Sequence, residues 1–298
     1  MENRTAFIFA GQGAQHPGMG AALCQESRAA AEVFRRADAV LGWSISHLCF
    51  EGTMEELTAC AACQPAIFVC SLAGYAAFRE KAGEDWKPVA VGGLSLGELS
   101  ALTAAGAVDF ETGLRMVARR GELMDQCCKR KSGAMGAVVG CPEEELESAC
   151  REAGVWIANY NCPGQRIVSG LQENVEKCLS LLEGKAMKLQ KLTVAGAFHS
   201  PLMEDAAKAF REYLDAVDIQ DPAIPMVHNV TGDWTNAPGS PSLRDLLGRQ
   251  VCSPVRWEQC SGKLMDCSDA MEETGPGKVL QGLCRRIRRG FPVHSMEL

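Results

Sequence analysis

Residues 5–9 form a short apolar run that stops at Gly11-Gln12-Gly13, the pattern of a buried strand feeding a glycine turn. Apolar positions then recur at helical spacing over residues 28–41 and again over 65–78. Residues 89–91 make a second buried strand, which runs directly into the turn Gly93-Leu94-Ser95-Leu96-Gly97 and an alanine-rich helix ending at Ala105. Asp109 is placed as the N-cap of a further helix reaching about residue 127.

The middle of the chain has a different rhythm. Strands are predicted at 134–139, 155–159, 166–169 and 186–194, with helices at 143–153 and 174–182. That β-α-β-β-α-β order is the ferredoxin-like arrangement. It is flanked by a charged glycine stretch at 129–133 and by Gly196. The pattern therefore predicts an α/β protein built from 1–130 and 196–298, with 131–195 inserted as a small subdomain. The larger part resumes with a helix at 201–217, a strand at 225–230, and a final helix opened by Gly275-Pro276-Gly277.

Composition narrows the function. The 298 residues are 47% apolar and 22% charged, ordinary for a globular protein with a sizeable core. The opening MENRTAFIFAGQG has no apolar segment of the secretory type, and the apolar runs read as too short or glycine-broken to span a membrane. Fifteen scattered cysteines, an odd number, point to reduced thiols in the cytoplasm. Cys60 and Cys63 form a C-x-x-C with no second pair or histidine cluster at zinc spacing. A net charge of −7 argues against nucleic acid as a partner. A dinucleotide fingerprint at Gly11-Gln12-Gly13 fails because His16 stands where the third glycine belongs.

Gly93, Ser95 and Gly97 give G-x-S-x-G, the spacing that lifts a serine hydroxyl out of a sharp strand-to-helix turn. Ser95 is either a nucleophile or one small residue in a tight turn. A nucleophile needs a base, and there are five histidines. His47 has no chemistry around it, and His294 lies in a tail expected to be mobile. His16 and His228, near strand ends, stay open as candidates. His199 has the best local argument, because it precedes Ser200-Pro201 at a helix start, where the positive end of the helix keeps an imidazole neutral. No carboxylate is obvious as its orienting partner. Asp109 reads as a cap and Asp125 as a helix surface residue, leaving a backbone carbonyl or an amide side chain for that task. On the helix at 109–127, Gly113, Val117, Arg120 and Met124 share one stripe, so Arg120 turns inward while Arg119 faces water. An inward guanidinium needs either an internal carboxylate or a substrate anion. The amides of Leu96 and Gln12 are candidate oxyanion donors, Gln12 equally well a plain turn residue.

Taken together, FAGQGAQHPGMG, Gln64-Pro65-Ala66, GLSLGELSAL, VARRGELM, NYNCPGQRIVSG, GAFHSPLM, Arg249-Gln250 followed by SPVRW, and ETGPGKVL resemble the malonyl-CoA:acyl-carrier-protein transacylase family, in order from residue 9 to about 280. The resemblance implies an α/β-hydrolase-like large domain with a parallel sheet and a ferredoxin-like insertion. It implies Ser95 as nucleophile, His199 as base, Gln12 and Leu96 amides as the oxyanion hole, and Arg120 on the malonyl carboxylate. Gln250 would help position the histidine, and Phe198 fits a malonyl rather than a methylmalonyl pocket. Malonyl-CoA and an acyl carrier protein are the implied partners, with no metal or cofactor and a monomeric enzyme. Lys129, Arg130 and Lys131, or Arg285, Arg286, Arg288 and Arg289, are candidate docking patches for an acidic carrier. An acyl-thioester hydrolase and a catalytically silent carrier-binding homologue are the alternatives. The resemblance departs at Leu94, where the family usually has histidine, and at Leu99, commonly aromatic there.

Overall fold

The computed structural model describes residues 4–83, 85–130 and 132–296. β1 (Thr5–Phe9) is the centre of a parallel four-stranded sheet, and its alternation fills both sides of it. Phe7 and Phe9 enter one hydrophobic core and Ala6 and Ile8 another, all four fully buried. After β1 come α1 (Ala21–Glu26), α2 (Arg28–Leu41), α3 (Ile45–Glu51) and α4 (Cys60–Ala82). Then follow β2 (Val91–Gly93), α5 (Leu96–Ala104) and α6 (Phe110–Arg130). Length and composition alone would let α4 cross a membrane, which the broken-run reading of the sequence missed; instead it lies in the core, packed between α2 and α6. Its N-terminus is held by Asp125, whose carboxylate accepts the Cys60 and Ala61 amides at 3.0 and 2.8 Å. Asp125 is thus a helix cap supplied from α6 rather than a surface residue, and it satisfies amides that a helix start leaves unpaired.

A second sheet, antiparallel and in the order β4-β5-β3-β6, is formed by β3 (Gly133–Val139), β4 (Trp156–Cys162), β5 (Gln165–Leu171) and β6 (Lys188–Lys191). α7 (Glu143–Ala153) and α8 (Gln172–Leu181) close a third core against it. β6 is shorter than its sequence suggested, an edge strand of mostly exposed residues. The predicted helix at 201–217 divides into a 3₁₀ turn at Pro201–Met203, capped by Ser200, and α9 (Glu204–Leu214). The strand expected at 225–230 shrinks to β7 (Val227–His228), paired in a hairpin with β8 (Asp233–Trp234). The chain ends with α10 (Leu243–Gln250), α11 (Trp257–Cys267), β9 (Ala270–Thr274), α12 (Val279–Ile287) and β10 (Val293–Ser295). β9 and β10 complete the parallel sheet in the order β10-β9-β1-β2. His294, expected in a mobile tail, sits in β10 opposite Glu272.

Two backbone hydrogen bonds tie the antiparallel sheet to the chain near the site. Tyr160 N donates to Val255 O at 2.9 Å, and Val255 N to Ala158 O at 2.8 Å. They fix β4 beside the segment that follows α10. Ser95 stands beyond the carboxyl end of β2, the end of a parallel sheet where α/β proteins bind ligands.

Candidate active site

The turn around Ser95 is forced by its glycines. A Cβ at Gly97 would lie 2.0 Å from Phe9 O, and one at Gly93 would lie 2.1 Å from the Gly97 carbonyl. Only glycine lets α5 approach β1 and β2 this closely. Ser95 itself has φ 54°, and His199 has φ 56°; among the described residues these are the two non-glycine positions with positive φ. Such backbone costs about 1–3 kcal/mol per residue and persists only where the surroundings over-determine it. The strain falls on the two residues that meet: Ser95 Oγ lies 2.7 Å from His199 Nε2.

The histidine tautomer follows from its other nitrogen. His199 Nδ1 lies 3.0 Å from the carbonyl oxygen of Gln250 and 3.1 Å from that of Ser253. Carbonyls only accept, so Nδ1 carries the proton and Nε2 is the acceptor facing the Ser95 hydroxyl. The Gln250 carbonyl is available because Gln250 ends α10, where carbonyls lack helical partners. This resolves the alternatives left by the sequence in favour of backbone carbonyls. The Gln250 side chain does something else. Its Nε2 donates to the carbonyl of Ser95 at 2.8 Å and its Oε1 accepts from Arg120 at 3.0 Å.

Burial first, and the Arg120 charge second, push the His199 pKa down to about 4. A depressed value means the ring is a neutral base above that pH and is lost by protonation below it. The rate of Ser95 acylation should stay level from pH 8 down to about 5, with its acid limb near 4 rather than near the ordinary 6.5. Single-turnover acylation across this range measures it, and a limb at 6.5 would contradict the burial of the base.

Arg120 is turned inward as its stripe on α6 predicted, and is 1% exposed. Arg119 on the opposite side pairs with Glu122 at the surface. No carboxylate forms an ion pair with Arg120 among the described residues. Its Nη1 donates to Gln64 Oε1 at 2.6 Å and its Nη2 to Ser95 Oγ and Gln250 Oε1, each at 3.0 Å, while its Nε has no partner. Burial lowers its pKa to about 10, which still leaves it charged near neutrality. Gln64 in turn reaches Gln12 Oε1 at 3.5 Å, so the glycine turn after β1 borders the same cluster. Leu96 is the first residue of α5 and Gln12 lies in the turn, so neither amide belongs to a helix or strand ladder.

Other expected residues lie around this centre. Phe198 is buried in the first core directly beside His199. Leu94 is half-buried against the second core and brings no polar group. His199 lines a cavity of about 390 Å³ together with Tyr160, Trp156 and Ile157 of β4 and Pro254. His16 and His47 are exposed and outside the cluster. Lys129 and Arg130 end α6 at the surface, and Lys131 lies outside the described residues. Of the arginines at the end of α12, Arg288 pairs with Asp266 and Arg286 bonds Gln165, while Arg285 and Arg289 are exposed. Sequence reasoning gave no role to Gln64 or Asn229. Asn229 Oδ1 accepts the Ser95 amide at 2.6 Å. Gln64 entered only as part of the Gln64-Pro65-Ala66 motif and nothing local marks Asn229, since both act through partners far away in the chain.

The chain is similar to known proteins over nearly its whole length. The acyl transferase domain family matches residues 6–270. The malonyl CoA-acyl carrier protein transacylase of Bacillus subtilis is 40% identical over 294 residues, covering 96% of this chain and 91% of that protein. The structure of the malonyl-CoA:acyl carrier protein transacylase from Xanthomonas oryzae superposes with a TM-score of 0.93 at 34% identity, over 100% of this chain and 95% of that one. A malonyl-transacylase solved in complex with its type II polyketide acyl-carrier protein has a TM-score of 0.91 at 32% identity, over 99% and 96% of the two chains. With sequence, fold and family model in accord over nearly its whole length, the chain belongs to the malonyl CoA-acyl carrier protein transacylase family of acyl transferases.

Proposed function

We propose that this protein transfers a malonyl group from malonyl-CoA to the phosphopantetheine thiol of an acyl carrier protein through a malonyl-Ser95 ester. The observation that carries this reading is one hydroxyl with two partners. Ser95 Oγ faces the base His199 and the buried cation Arg120 at once. As Ser95 Oγ attacks the thioester carbonyl, its proton passes to His199 Nε2. The imidazolium that forms is stabilised by the two carbonyls on Nδ1 and by the negative end of α10. The amides of Leu96 and Gln12 receive the developing oxyanion. Collapse breaks the C–S bond, and CoA leaves with the proton from His199. In the second half the carrier thiol gives its proton to His199 and attacks the ester, and Ser95 leaves protonated. The malonyl carboxylate takes the place of Ser95 Oγ on the Arg120 fork, as a bidentate partner for an otherwise unpaired charge. Phe198 limits room beside the base and favours malonyl over methylmalonyl, a difference of about 1–3 kcal/mol per methyl.

Carrier docking is assigned to Lys129 and Arg130. They lead into β3, whose Gly133 packs against Ala197 two residues before the base. Charge reversal at both should raise KM for the carrier about tenfold at low salt and leave malonyl-CoA loading unchanged. An unchanged carrier KM moves the docking face elsewhere. The reducing environment expected of a cytoplasmic enzyme suits fifteen free thiols. The reaction itself is tested by intact mass. Malonyl-CoA should leave one malonyl adduct on Ser95, discharged when holo carrier protein is added. Folded protein that forms no adduct overturns the proposal.

A further inference from the structure

Behind the nucleophile turn lies a second buried polar cluster that the acyl-transfer steps do not use. Glu98, His228 and Asn229 are each fully buried, and Glu98 is the sole carboxylate of α5. Asn229 closes on the turn from both sides. Its Oδ1 accepts the Ser95 amide at 2.6 Å and its Nδ2 donates to the Gly93 carbonyl at 2.8 Å. These backbone groups bracket Leu94 and fix the entry of the chain into the strained residue, Ser95. Asn229 is held in turn by Glu98, whose Oε2 accepts the Asn229 backbone amide at 2.7 Å. The other carboxylate oxygen, Oε1, lies 2.6 Å from His228 Nε2. His228 Nδ1 accepts the Val230 amide at 3.1 Å, which leaves Nε2 to carry a ring proton toward the carboxylate.

A buried carboxylate is retained at such a place only if it is paired and hydrogen-bonded. Here its partners come from β7 and the residue just after it. We infer that Glu98, His228 and Asn229 are positioning residues for acylation, a brace that holds Ser95 in its strained conformation with its hydroxyl aimed at His199. None of the three touches substrate or the reacting atoms. His228 acts through Glu98, Glu98 through the Asn229 backbone, and Asn229 directly on the turn.

The inference rests on Ser95 being the acylated residue, and wild-type loading is the control that separates the two claims. Wild-type protein without an adduct overturns that reading. Wild-type loading with unaltered rates in the variants overturns this one. In single-turnover acylation by malonyl-CoA, His228→Ala and Asn229→Ala should each lower the rate about 10- to 100-fold with KM within twofold, since misplacement of a reacting group by ~1 Å costs on that order. The double variant should be no slower than the slower single variant, because both remove one chain of support. His228→Gln, which keeps an N–H donor facing Glu98, should recover most of the rate. Glu98→Gln keeps the shape of the carboxylate and decides the matter if the alanine variants do not fold. It should lose rate without a change in KM. Additive losses, a rise in KM at constant rate, or no rescue by glutamine would each show that the cluster only stabilises the fold or acts on Arg120.

Discussion

Ser95→Ala should form no malonyl adduct at all, and His199→Ala should acylate about 10²- to 10⁴-fold more slowly than the native protein while its KM for malonyl-CoA stays nearly unchanged. The two losses differ in kind. Without Ser95 Oγ no ester can form. Without His199 the proposed oxyanion donors, the Leu96 and Gln12 amides, and Arg120 remain, so some acylation should survive. The base cannot be replaced from within the chain, because the other described histidine close to the turn, His228, has its Nε2 directed at Glu98. Rapid-quench mass measurement of the adduct with time gives both numbers. Adduct formation by Ser95→Ala, or equal rates for His199→Ala and native protein, would remove the pair from the centre of the chemistry.

Arg120→Ala should lower malonyl loading about 10²- to 10³-fold while acetyl loading is retained or rises. The expected loss follows from unpairing a buried charge partner, roughly 2–5 kcal/mol, at about 1.4 kcal/mol per decade. Acetyl lacks the carboxylate and so has nothing to lose. A second readout is independent of the substrate. The Arg120 charge is one of the two causes that depress the His199 pKa, so its removal should move the acid limb of acylation upward from about 4. Equal loss of malonyl and acetyl loading, with the acid limb unmoved, would make Arg120 a structural residue. Such a role is conceivable from its bonds to Gln64 and Gln250, which tie α4, α6 and α10 together.

Much of this site was legible because its signals are local. The spacing of Gly93, Ser95 and Gly97 is dictated by two backbone contacts within van der Waals limits, and any side chain there would break the turn. Arg120 was assigned inward by its angular position on α6 alone, and that suffices when a helix is strongly two-faced. The ferredoxin-like element order was legible for the same reason, each element carrying its own period. Asp125 was misread because helical angle says which way a residue points, not what helix end waits there. The short β7 and β10 depend on partners that arrive from elsewhere in the chain, so residues 225–230 gave too long a strand and His294 none. A carboxylate inside the apolar segment LGELSAL was a visible sign of the cluster around Glu98, because an unpaired charge could not be buried there. Its partner His228 could be found only once β7 was placed beside β2.

The carbonyl oxygens of Gln250 and Ser253 that orient His199 have a consequence for how this catalyst can fail. In a Ser-His-Asp enzyme the third member is a side chain, and one codon change deletes it. Here the third member is main chain, present whatever residues stand at 250 and 253. No single side-chain replacement removes it while the backbone keeps its path. It can be lost only by changing the path of the chain after α10, through an insertion, a deletion or a proline that redirects those carbonyls. The orientation of the base is therefore robust to substitution and fragile to changes in loop length, and the segment from Gln250 to Val255 is where a tolerated point mutation and a lethal indel should lie side by side.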